Sequence, residues 1–311
     1  MKTFLVALGA VAVLLAVAVP GYILKKKNMV SEDTMPALSK ILLFVCQPCL
    51  SIYTFKNATF SVQMLGNIGL FALLALLAQL LMLGIAYLIF RRRMKNALYR
   101  IVTIACALAN CAFFGIPILE ALFPETASGL LIYTSVYAII MNVIGWTLGA
   151  AIISQNLKYV SVKKIFCNPA MVSLLIAIPF FIFEIPLPES LDSMVSLVGR
   201  MATPLSMLIM GMRLATTDLK SLFTTKQIYI SLAMKQFLMP LLALLMVAFL
   251  PLDGGLKAVL YIICCCPSAS VVLNFSEILG EGQKEAAAAV LLSTITSIVS
   301  LPIMVLLLPI L

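Results

Sequence analysis

Asn110-Cys-Ala-Phe-Phe-Gly115-Ile-Pro117 lies inside an otherwise apolar segment, and its reading decides the fold. Proline removes a backbone donor and its ring clashes with the preceding turn, so a helix running from Ile101 is expected to break near Pro117. In hydrocarbon a break leaves amides and carbonyls without water. It persists only where protein buries it or a wet cavity lies beside it. Gly115 admits another backbone closely, and Asn110 offers both a donor and an acceptor. Two readings stand: a packing kink braced by neighbouring helices, or the discontinuous helix with which many transporters build a midplane site. A similar break later in the chain favours the second.

Around this stretch the composition is that of a membrane protein. Of 311 residues 63% are hydrophobic and only 11% charged, with a mean hydropathy of +1.15. A soluble domain is nearer half apolar and a quarter charged. Apolar runs long enough to span a bilayer core occur at 3–24, 38–55, 62–90, 98–122, 127–153, 168–184, 192–212, 226–250, 255–276 and 284–310. The expectation is an all-α integral membrane protein of ten transmembrane helices with no separate soluble domain. The run at 168–184 is short and contains Pro179.

A net charge of +9 would suit nucleic acid, but its distribution excludes that partner and points to topology. Basic residues gather at Lys25–Lys27, at Arg91–Arg93 with Lys95 and Arg100, at Lys158, Lys163 and Lys164, and at Lys220 and Lys226. These fall in every second connection. The alternate ones hold Glu125, Glu184, Glu189, Asp192 and Asp253, with Lys56 and Lys257 as basic exceptions. By the positive-inside rule the basic links are cytoplasmic, and ten spans then put both termini outside. Residues 1–24 read as a retained first helix: the apolar run exceeds a typical signal core, and Pro20 and the Lys triplet replace a small-residue cleavage site. The chain has no His, and its eight Cys lie in apolar spans or at their edges, so neither a disulfide framework nor a His-based metal site is expected.

The order of features repeats across the basic link 154–166. The second span of residues 1–155 meets a proline at Pro48 and its fourth at Pro117. In residues 156–311 the corresponding spans meet Pro204 and Pro267. All four are expected to be helix breaks. Five spans per half force opposite topology, so the halves are expected to be two inverted five-helix repeats.

The polar residues within the spans are the candidates for chemistry. At 1.5 Å per residue, Arg200 lies about 12 Å into the seventh span and Lys235 about 13 Å into the eighth. Each basic group there costs on the order of 3 kcal/mol and needs a partner. Either residue supplies the positive field for an anionic substrate, or it is spent in an ion pair with Glu120 or by snorkelling. Glu120 is also the candidate for coupling. The helix segments after Pro117 and Pro267 present free amides and a positive dipole end suited to a carboxylate. Asn110, Asn142 and Ser268 are placed to orient it, with Gln47 and Thr203 beside prolines. Cys46-Gln-Pro-Cys49 has redox or metal spacing, but cysteine is also a common apolar filler. No phosphate-binding glycine loop suggests ATP. No cofactor is expected. An intramembrane enzyme is the rival reading, weakened by the lack of His and of paired carboxylates. A channel or sensor without turnover is a third.

The residues as a set resemble the auxin efflux carrier family, the bacterial branch of a superfamily that includes plant PIN carriers and is related in fold to bile-acid sodium symporters. Nearly the whole chain takes part. Asn110-x4-Gly115-Ile116-Pro117 is the most specific element, supported by Gly21-Tyr22, Leu38-Ser39-Lys40 ahead of Pro48, Asn142 before Trp146, Asn168-Pro169, Thr203-Pro204-Leu205 with Gly211, and Pro267-Ser268-Ala269 with Glu277 and Gly280. Phe44 and Val271 stand where the family often has Asn. The resemblance implies an elevator carrier whose fourth and ninth helices cross and frame an organic-anion site that includes Gly115 and Pro117. It implies a secondary transporter in the plasma membrane, moving a mono- or dicarboxylate. H+ or Na+ coupling and a homodimer are left open.

Overall fold

The computed structural model describes residues 1–58, 60–160, 162–217 and 226–311; Lys220, one of the basic link residues, lies outside them. Among the described residues seven helices are long and apolar enough to cross a membrane, and three shorter apolar helices accompany them. In chain order the helices are α1 (Lys2–Lys26), α2 (Thr34–Lys56), α3 (Val62–Phe90), α4 (Ala97–Ala107), α5 (Gly115–Leu122), α6 (Ala127–Ser154), α7 (Pro169–Ile182), α8 (Glu189–Arg200), α9 (Ala202–Thr216), α10 (Lys226–Ala248), α11 (Gly254–Cys265), α12 (Val271–Leu279) and α13 (Gln283–Val305).

Local chemistry sets several of the boundaries. Ser61 Oγ accepts from Met64 N, Asn96 Oδ1 from Leu98 N and Asp253 Oδ1 from Leu256 N, satisfying amides that the first turn leaves orphaned. Asn168 caps α7 in the same way, with Pro169 in the first turn where its missing donor is harmless. Gly280 takes the left-handed conformation that ends α12.

Two helices pass through the centre. Every residue of Ile101–Ala109 and of Val259–Cys264 is fully shielded from solvent, so α4 and the end of α11 are apolar on all sides because neighbours surround them. α3 and α10 cover this centre. They turn Leu73, Leu77, Leu81 and Leu245 outward, where a bilayer would meet them. α1 packs along α9 so closely that a Cβ on Gly21 would collide with the Leu208 carbonyl, and one on Gly211 with the Ala18 carbonyl. α2 packs on α7 and α8. The molecule thus groups α1, α2, α7, α8 and α9 on one side and the other long helices around the centre. The groups meet where α1 runs along α13 and α5, and where α2 meets α6.

The prolines behave differently from the sequence expectation at two of four positions, Pro48 and Pro204. The chain does leave helix before Pro117, but the unwinding runs over 108–114 and Pro117 itself falls in the first turn of α5. At Pro48 there is no break. A π-helical turn, Leu42–Cys46, precedes it and α2 continues to Lys56, because the wider turn makes room for the ring without unwinding the chain. At Pro204 the interruption is the single residue Met201, and the proline again occupies a first turn. Only Pro267 lies inside an unwound segment, between α11 and α12.

Candidate functional site

The two unwound segments lie against each other at the centre. Ala109 and Ser268 form an antiparallel bridge, in which Asn110 N donates to Pro267 O at 2.9 Å and Ala269 N to Leu108 O at 2.9 Å. Ser268 Oγ adds a bond to Ala105 O at 2.9 Å. Each break therefore satisfies the other's main chain, which is what lets non-helical backbone survive where water is absent.

The satisfaction is uneven. On the α4–α5 side, the N–H groups of Phe113 and Phe114 donate to no acceptor among the described residues. Asn110 is only 4% exposed, yet its Nδ2 has no hydrogen-bond partner. A buried amide donor without a partner costs about 1–3 kcal/mol, and two further free donors stand at the positive end of α5 beside it. On the α11–α12 side the N–H groups of Ser270 and Val271 likewise donate to no acceptor among the described residues, but the buried side chains are spoken for. Ser268 N donates to Ser293 Oγ, and Gln236 Nε2 reaches Ser293 O and Thr296 Oγ1.

A small cavity opens immediately after Asn110, beside Ala112 and Ile116. Gln47, Ser51 and Thr54 of α2 form one wall, and Thr134 and Ser135 of α6 form the other. Its volume of about 10 Å³ is close to what a single water needs. Thr54 Oγ1 and Ser135 Oγ are 2.9 Å apart across it, so the walls touch through hydroxyls. Ser51 Oγ is buried there without a partner.

Of the residues singled out from sequence, Gln47 lines this cavity, and Asn110 lies in the crossover two residues before Ala112, which also lines it. Asn142 lies one turn along α6 from Ala138, where its Nδ2 back-bonds to Ala138 O at 2.8 Å. The Ser268 hydroxyl is held by Ala105 O, and Thr203 does not line the cavity. A Cβ at Gly115 would make ordinary contacts, the nearest at 3.7 Å, so that glycine does not mark the close approach expected of it. Phe44 points away from the protein at 64% exposure.

The charged candidates are both committed. Arg200 pairs with Glu120 at 3.3 Å and lies over the Tyr53 ring, with its side chain 63% exposed. Lys235 is fully buried and donates to Cys264 O at 3.0 Å. Neither lines the cavity.

Long apolar helices, two interlocked breaks and a polar cavity between helices describe a membrane transporter in general terms. A family model described as "Membrane transport protein" matches residues 6–305. The chain belongs to this auxin efflux carrier family. No curated protein matches it. As a family member it is a multi-pass membrane protein of transmembrane transport, and the family's members are transporters rather than enzymes. In this carrier the hydroxyl lining was the part missed from sequence. A signal was present: Gln47, Ser51 and Thr54 follow i, i+4, i+7 spacing, as Ser135, Ala138 and Asn142 follow i, i+3, i+7, each marking one helical face.

Proposed function

We propose that this family member is a secondary carrier that moves a small organic anion across the plasma membrane by elevator-like alternating access. The observation that carries the reading is the unpartnered, buried Asn110 Nδ2 beside the free amides of Phe113 and Phe114. Three donors at a helix N-terminus recognise one carboxylate well. Gln47, Ser51, Thr54 and Ser135 then meet the rest of the molecule. With Arg200 and Lys235 engaged elsewhere, the positive bias comes from the helix end and neutral donors, which favours a monocarboxylate over a dicarboxylate.

The ten spans are read as two inverted repeats, 1–155 and 156–311, with both termini outside. The cavity is too small for a carboxylic acid as it stands, and its walls belong to different helix groups. Sliding the central group past α2, α7 and α8 would open it to each side in turn. Glu120 is the candidate for proton coupling, and a homodimer would leave this site within each chain.

The test is Asn110→Ala. The crossover uses the main chain of Asn110, so the variant is expected to insert and fold while substrate-dependent uptake into proteoliposomes falls at least about tenfold, the worth of one hydrogen bond to a charged group. A thermal-shift screen of carboxylates on the purified protein supplies the substrate. Unchanged uptake in the variant would remove the site from this break, and recovery of a chemically altered acid would make the protein an enzyme.

A further inference from the structure

Lys235 is the most deeply buried charge in the described chain: its residue is 0% exposed, and no Asp or Glu forms an ion pair with it. Its Nζ donates to Cys264 O at 3.0 Å and approaches Met239 Sδ at 3.3 Å. The other groups facing it are the thiols of Cys264, Cys265, Cys266, Cys106 and Cys111. An ammonium so placed needs a negative counterpart, and the one on offer is the C-terminal end of α11. That end carries about half a negative charge, and its Cys264 carbonyl is taken by no main-chain N–H. Cys266 N and Sγ take Ile262 O, Cys266 N also reaches Ile263 O, and Lys235 takes Cys264 O.

In carriers built from discontinuous helices, half-helix C-terminal ends of this kind are where coupling cations are coordinated. We infer that Lys235 is a tethered cation occupying that position, so that the crossover closes without sodium. α3, the covering helix that the two-repeat reading pairs with α10, contains no Lys or Arg, so on that reading the substitution belongs to one half only. The inference rests on the carrier reading for what it says about coupling, and on the geometry alone for what it says about the cation site.

The experiment is thermal unfolding of purified protein at constant ionic strength in choline, sodium, potassium or methylammonium chloride. The wild type is expected to unfold at the same midpoint in sodium and in choline. Lys235→Ala, which leaves the position empty, is expected to unfold roughly 5 °C lower in choline. Sodium or methylammonium should restore it in a saturable way. Lys235→Met fills the space without charge and should stay low in every salt. A saturable sodium stabilisation of the wild type overturns the inference even if neither variant folds. So does a Lys235→Met protein as stable as wild type, or a folded Lys235→Ala protein that no cation restores. Because no transport is measured, these outcomes are independent of whether Asn110 binds the cargo.

Discussion

Asn110 divides its work between two parts of one residue. The main chain ties the crossover and the side chain stays unpaired, so the proposed binding role is separable from folding there. Ser51 extends the logic. A buried hydroxyl with no partner destabilises the folded protein, and its survival argues for a ligand. Ser51→Ala is therefore expected to raise stability by about 1 kcal/mol while weakening substrate stabilisation in the same thermal-shift assay. A variant less stable and equally well stabilised by substrate would make Ser51 structural. At this scale the sequence was partly legible. Asn110 stood out because an amide before a proline break in an apolar run is rare. Ser51 and Thr54 did not, because small hydroxyls in helices usually bond back to their own carbonyls, as Thr134 does to Leu131 O. The partner of Lys235 was illegible for a different reason: a backbone carbonyl has no signature in the sequence.

At the scale of elements, a proline proved to be an unreliable mark of a break. Pro48 and Pro240 each follow a π-helical turn, Leu42–Cys46 and Met234–Leu238, and the helix continues through both. Pro117 and Pro204 sit in first turns, where the ring costs nothing. What broke α4 from α5 was the availability of a partner segment, and a partner distant in sequence is not visible in one dimension. The close pair α1 and α9 is another element-level feature. Gly21 and Gly211 each face the other helix's carbonyls with no room for a side chain. Gly211→Val is expected to cost about 1–3 kcal/mol or to abolish accumulation in the membrane, checked by fluorescence-detected size-exclusion of the detergent-extracted protein. Normal yield and elution would place that helix pair in looser contact.

At the scale of the whole molecule, the ion pair Arg200–Glu120 joins the outer helix group to the central one, and Lys56–Asp192 strengthens α2 against α8 within the outer group. Arg200 is largely exposed, so loss of its partner should change stability by less than about 1 kcal/mol. Glu120→Gln is nevertheless expected to alter the rate of uptake at saturating substrate with little change in half-saturation, because it loosens the contact between groups rather than the cavity. A change confined to half-saturation would assign Glu120 to binding. At this scale the sequence carried the all-helical, multi-span character. It carried nothing of which helices group together, since Gly21 with Gly211 and Thr54 with Ser135 are contacts made across long stretches of chain. The bridge between Ala109 and Ser268 has one more implication. A weld made of main chain is indifferent to the side chains around it, so Gln47, Ser51 and Ser135 are free to change while the join stays intact. The two interrupted helices must then travel as one piece, whatever else in the protein moves.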